Sequence, residues 1–134
     1  MGVKVKSREL TNDDRLLLAR AFELAKRRKS RFTRVGSALR TVNGKIFEGV
    51  NVEVDGSPPC SMCAEYSAIG AMVSNGEQRI ATIVAVNGHK HAILPPCGKC
   101  RQLISQFGNP YVILRIQRKL VKVKFSQLYP IQLK

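Results

Sequence analysis

Four cysteines stand in two pairs, Cys60-x-x-Cys63 and Cys97-x-x-Cys100, with the 33 residues 64–96 between them. Any fold in which both pairs serve one purpose must bring two distant stretches of chain to one point. The gap is too long for a compact zinc ribbon or finger, where roughly 15–20 residues separate the pairs. It is also too regular. The segment from Cys63 to Ser74 reads as a buried helix, because Ala64, Ala68 and Ala71 permit close packing and Asn75-Gly76 closes it. Ile80 to Val86 is a short run rich in β-branched residues, which suits a buried strand. A helix and a strand between the pairs call for a layered domain, not a knuckle.

The rest of the chain supplies the layers. Thr11 or Asn12 is a candidate N-cap, with Asp13 and Asp14 in the first turn; Leu17, Ala21 and Leu24 share a face, and Lys26 to Lys29 close the segment. Acids first and bases last complement a helix dipole. Val35 to Thr41 and Lys45 to Asn51 flank Asn43-Gly44, a hairpin signal. Gly56, Pro58 and Pro59 mark Val52 to Ser61 as a loop. Pro95-Pro96 introduce a helix from Cys97 to Phe107 that Gly108 ends; Tyr111 to Ile116 is a second buried strand, and Leu120 to Phe125 alternates Val and Lys as a half-exposed one does. The order α-β-β-α-β-α-β-β predicts one α/β domain over residues 1–134, a mixed five-stranded sheet in a three-layer α/β/α sandwich.

At 134 residues with 44% apolar content, the chain can build this core without covalent staples. No apolar run reaches the ~18 residues of a membrane span, and residues 1–10 carry charge in place of an apolar leader core. A cytoplasmic chain off the membrane is expected, and in a reducing compartment cysteines point to metal or catalysis before disulfides.

Chemistry sorts the four sulfurs. Cys97 and Cys100, at i and i+3, share a helix face and can grip one ion. Thiols at helix N-termini are favoured as thiolates. With Cys63, at the start of the other helix, they offer three ligands to Zn²⁺ and leave the fourth tetrahedral position for water, whose pKa the metal lowers. Glu65, two residues beyond Cys63, is then placed to move protons without being a ligand. The competing arrangement is a closed four-sulfur structural site that includes Cys60 and leaves no room for water; Cys60 is read here as a bystander thiol. His89-x-His91 is read as two exposed loop residues.

Cys63-Ala64-Glu65 followed by Pro96-Cys97-Gly98-Lys99-Cys100 resembles the zinc-dependent cytidine deaminase superfamily, in its short three-cysteine branch. Val35-Gly36-Ser37-Ala38-Leu39 and Gly49-Val50-Asn51-Val52-Glu53 resemble consecutive segments of the same family. The resemblance implies that Cys63, Cys97 and Cys100 hold zinc. It implies that Glu65 carries a proton to the pyrimidine ring nitrogen and on to the departing ammonia. The Ala64 N–H would hold the ring carbonyl, Asn51 and Glu53 a sugar hydroxyl. The substrate implied is a small cytosine nucleoside, cytidine or 2′-deoxycytidine, and the assembly implied is a homotetramer. Two family positions differ. Tyr66 stands where an Arg commonly follows Cys-Ala-Glu, which makes Arg101, beside Cys100, the candidate for compensating charge around the metal. Thr33 stands where a base-packing Phe is usual, with Phe32 one place away. Cys97-Gly98-Lys99-Cys100 and the missing Arg also resemble blasticidin S deaminase, the alternative within this branch.

Charge adds a further possibility. Lys and Arg number 23 against nine Asp and Glu, a net +14, and no acid follows Glu77. Such a balance attracts polyanions. A nucleic-acid cytosine deaminase and a non-catalytic zinc module are therefore the readings from other classes. Trp is absent and aromatic residues are 6%, so no stacking platform accompanies the charge, and a solvated basic surface is preferred.

Overall fold

The computed structural model describes residues 5–133; the first four residues of the charged N-terminal stretch, and Lys134, lie outside the described part. Helix α1 (Asn12–Arg27) starts at Thr11, whose hydroxyl accepts from the Asp14 amide (3.1 Å) while the Asp14 carboxylate accepts from the Thr11 amide (2.9 Å). This reciprocal cap satisfies two amides that the helix itself cannot. Asp14 is fully buried and also receives Lys122 Nζ at 2.7 Å and Arg40 Nη2 at 2.9 Å. Burial alone would raise its pKa, but the bonds from Lys122, Thr11 and Arg40 outweigh it and hold the carboxyl at about 2.

The sheet runs β1 (Ser7–Arg8), β7 (Lys119–Lys124), β6 (Tyr111–Ile116), β4 (Ile80–Asn87), β2 (Val35–Thr41) and β3 (Ile46–Val50), with β5 (Ala92–Leu94) paired to β4. β4 and β6 pair in parallel and the other neighbours antiparallel, so the sheet is mixed. The five expected strands are its body; β1 and β5 are short additions. Alternation sends successive residues to opposite faces. Leu39, Ile83, Val112 and Leu114 pack with Ala68, Met72 and Ile104, on the side of helices α2 (Ala64–Ser74) and α3 (Gly98–Ile104). Ala38, Val84, Val86 and Ile113 pack with Leu17, Ala21 and Ala25 of α1. The result is the three-layer sandwich.

Two glycines set the layer spacing. A Cβ on Gly36 would lie 2.7 Å from the Ala21 carbonyl oxygen, and one on Gly49 would lie 2.3 Å from the Ala68 amide nitrogen. Backbone therefore meets backbone on both faces, and α2 is seated directly on β3. Helix α3 is shorter than expected: at Ser105 the chain tightens into a 3₁₀ turn (Ser105–Phe107), and the Ser105 hydroxyl donates to the Gln102 carbonyl at 2.6 Å. A serine that bonds its own backbone competes with the helical ladder. No helix among the described residues is long and apolar enough to cross a membrane.

Candidate active site

The site forms where α2 and α3 begin. Cys63 is the N-cap of α2 and Cys97 the N-cap of α3, both with extended backbone, and neither side chain caps its helix. Both sulfurs are thus left to face one another, 3.9 Å apart. Cys100, in the first turn of α3 and 1% exposed, completes a trio whose sulfurs all lie within 4.8 Å of one another. Tetrahedral zinc with ~2.3 Å bonds places its sulfurs about 3.8 Å apart, so the trio fits that ion's donor chemistry and spacing. The loop before α2 delivers Cys63 by closing on itself: Val52 and Met62 exchange two backbone hydrogen bonds, each 2.9 Å. Cys60 lies outside the trio, on a 3₁₀ turn (Pro58–Cys60), with its sulfur 3.1 Å from the Ser57 hydroxyl.

The electrostatics call for a cation. Burial pushes the Cys63 thiol up, and burial with the neighbouring Glu65 pushes Cys100 up steeply. Only Cys97 is lowered: burial opposes ionisation there too, but the nearby Cys100 and Lys99 amides and the Cys63 and Cys100 thiols favour its charged form and prevail. The three thiols thus differ in how readily they ionise, and a bound dication would draw all three toward thiolate.

Beside the sulfurs opens a cleft of about 620 Å³. Glu65 lines it from the first turn of α2, only 6% exposed, and burial pushes its carboxyl up. Ala64 lines it too; as the first residue of α2, its N–H has no acceptor within the helix. Asn51 is clamped, its Oδ1 accepting the Arg34 and Val35 amides at 2.8 Å each, which leaves its NH₂ for other work. Glu53 lines the same cleft, its carboxylate 3.9 Å from Arg34 Nε. The catalytic, metal and substrate residues expected from sequence therefore share one cavity.

The pattern of the cytidine and deoxycytidylate deaminase zinc-binding region matches residues 11–116. The chain belongs to this deaminase family. It is 37% identical over 107 residues to a blasticidin-S deaminase of Bacillus cereus (73% of this chain, 75% of that one). It is 39% identical over 98 residues to a probable cytidine deaminase of Dictyostelium discoideum (72% and 66%). The crystal structure of cytidine deaminase from Mycobacterium leprae superposes with a TM-score of 0.76 at 30% identity, covering 91% of this chain and all of that one. The protein is a zinc-dependent deaminase of the cytidine deaminase type.

Within this deaminase the two departures acquire structure. The ring of Tyr66 carries the Lys99 ammonium at 4.8 Å, a cation–π contact at the mouth of the Cys97-x-x-Cys100 turn. Lys99 is a cation that the sequence reading left without a role. Arg101 donates from Nε to the Pro96 carbonyl and from Nη1 to the Leu128 carbonyl, both at 2.9 Å, and so ties the approach to Cys97 to the C-terminal segment. Thr33 is buried and donates to the Asn51 carbonyl at 3.1 Å, steadying Asn51. Phe32 is 44% exposed with Arg31 over its ring at 4.8 Å and does not line the cleft. Asp55 does line it and was overlooked. Local sequence gave little signal for it: Asp55 sits in a turn that the Ser57 amide closes on the Val54 carbonyl at 3.3 Å, and Val54 lines the cleft beside it. His89 and His91 are exposed, and His91 stacks on Phe22 at 4.1 Å.

Proposed function

We propose that this deaminase hydrolyses cytidine and 2′-deoxycytidine to uridine and 2′-deoxyuridine with release of ammonia, residues 1–134 acting as one domain in the reducing cytoplasm. Cys63, Cys97 and Cys100 hold the zinc. The bound metal supplies Lewis acidity that makes a water nucleophilic near neutrality. Glu65 would take one proton from the attacking water and pass it to the ring nitrogen as the water oxygen bonds to the amino-bearing carbon, then carry the second water proton to the amino group, which leaves as ammonia while the oxygen stays as the carbonyl. The Ala64 N–H donates to the ring carbonyl and orients the base. Asn51 Nδ2 donates to, and the Glu53 carboxylate accepts from, a sugar hydroxyl. Arg101 holds the Pro96–Cys97 approach in place. A homotetramer is the proposed assembly; Val54 and Met62 beside the cleft are 39% and 42% exposed, apolar surface that suits a neighbouring copy.

The observation that carries this reading is the convergence of three sulfurs and the buried Glu65 carboxyl on one open cleft. The similarity to the Bacillus cereus protein favours blasticidin S as a second candidate substrate. Ammonia release from cytidine, deoxycytidine, blasticidin S and single-stranded DNA, measured side by side on zinc-loaded protein, tests the assignment. Turnover of the first two is expected; turnover of DNA alone, or of nothing, refutes it.

A further inference from the structure

Three segments meet at one end of the sheet. β4 and β6 run parallel with Ile83 opposite Val112, so their last residues, Asn87 and Ile116, stand level. The turn at residues 88–91, which leads from β4 into β5, and the turn at residues 117 and 118, between β6 and β7, therefore lie at the same end. β5 pairs with β4 and packs on β6 between them. Helix α1 ends there too: a Cβ on Gly88 would lie 2.9 Å from the Ala25 carbonyl oxygen, and His91 stacks on Phe22.

Cations line this rim. Arg28 and Lys29 follow the last residue of α1, Lys90 sits in the first turn, and Arg115, Arg118 and Lys119 surround the second. All six are exposed, and among the described residues none is ion-paired. No acid occurs at 26–29, 88–91 or 115–119. The dipole of α1 accounts for bases at its own end, but not for those on the two turns. A surface charged only for solubility intersperses both signs. Here one sign stands alone.

The backbone supplies a second observation. Among the described residues, the non-glycine residues with left-handed backbone are His91 (φ 51°), Gln117 (φ 49°) and Arg118 (φ 67°), all on this rim. Gly44, Gly56, Gly76 and Gly108 take that conformation elsewhere. A two-residue hairpin loop of this kind is best served by Asn-Gly, and Gln-Arg there costs stability. An outlier held where glycine would relieve it points to a use for the side chain, and Arg118 sets a guanidinium at the tip.

We propose that this rim binds the phosphate backbone of nucleic acid without reading its sequence. Unpaired cations on neighbouring elements attract a phosphodiester chain by releasing its counterions. A protein partner would need an apolar centre to its contact, and a lipid surface an apolar anchor. None of the exposed large apolar side chains lies on the three segments. No rim cation lines the cleft, so binding is a property separate from deamination.

The test titrates zinc-loaded protein with fluorescent oligo(U), fluorescent oligo(dT) and phosphatidylserine vesicles over a range of salt. The parent is expected to bind the strands, and more weakly as salt rises. Arg28→Gln/Lys90→Gln/Arg118→Gln should weaken binding roughly fivefold per cation at about 0.1 M salt, because each phosphate contact on a single strand contributes ~0.7 to the salt slope. Lys6→Gln/Arg15→Gln/Arg79→Gln removes the same charge away from the rim and should weaken it far less. Gln117→Asn/Arg118→Gly should keep or raise the melting temperature while binding falls, which separates a lost contact from a lost fold. Cytidine turnover should stay parental in all three variants. Binding of either strand with this dependence on salt and rim upholds the proposal, and the tighter strand identifies the source. Equal weakening by the two triple variants, binding indifferent to salt, binding to vesicles but to neither strand, or no binding overturns it.

Discussion

Glu65→Gln isolates the proton-transfer step. The substitution exchanges one carboxylate oxygen for NH₂ at nearly constant volume, which a side chain only 6% exposed in the first turn of α2 can tolerate. It removes the acid–base function and leaves the three sulfurs untouched, since Glu65 is not part of their cluster. Positioned acid–base catalysis contributes about 10²–10⁴-fold, so kcat should fall by that factor, which is roughly 3–5 kcal/mol of barrier. Stability should not fall in step. Burial pushes the Glu65 carboxyl up, so the protein disfavours its ionised form, and a neutral amide relieves that penalty. Measured together, kcat and KM on cytidine, zinc per chain and the melting temperature separate the outcomes. Low kcat with parental zinc and melting temperature supports the role. A kcat within about threefold of the parent, at full zinc, removes Glu65 from the chemistry, because no acid–base step is that dispensable.

Two further outcomes follow from the same geometry. Cys97→Ala should reduce bound zinc well below one per chain while Cys60→Ala leaves it unchanged, as metal analysis after gel filtration would show; equal loss in both variants would mean that all four sulfurs take part. Asp14, held at about 2 against an ordinary 3.8, should contribute about 2 kcal/mol of stability that is complete above pH 4 and is lost as pH falls through about 2. The stability gap between the parent and Asp14→Asn, from urea unfolding, should therefore narrow between pH 6 and pH 2.5; a gap constant across that range refutes the linkage.

Much of this fold and site was legible in the sequence because one local rule decided each part. The apolar run of Tyr111–Ile116, the Val and Lys alternation after Leu120, the Asn43-Gly44 hairpin signal and the Thr11 cap of α1 are short-range patterns that tertiary packing had no reason to override. The metal trio was legible because the chemistry needs sulfur, and sulfur is scarce. The parts that escaped depend on partners far along the chain. β1 has two residues and β5 three, too few for any period, and each exists through its pairing with β7 or β4. The end of α3 turned on which way one serine hydroxyl pointed, which helix propensity does not encode.

The charged mouth of the cleft shows the limit most clearly. Arg31, Arg34, Glu53 and Asp55 are all visible as charges in the sequence, yet sequence does not say which of them line the cavity and which stand behind it. That is decided by a register: the Glu53 amide donates to the Phe32 carbonyl at 2.9 Å, laying two segments side by side, while the paired bonds of Val52 and Met62 fix the loop's other edge. Asp55 follows in a turn that the Ser57 amide closes on the Val54 carbonyl at 3.3 Å, and Val54 lines the cleft too, so no alternation along the segment singles out the acids. Which charges reach the cavity is thus a property of two backbone pairings and one turn, and composition does not record it.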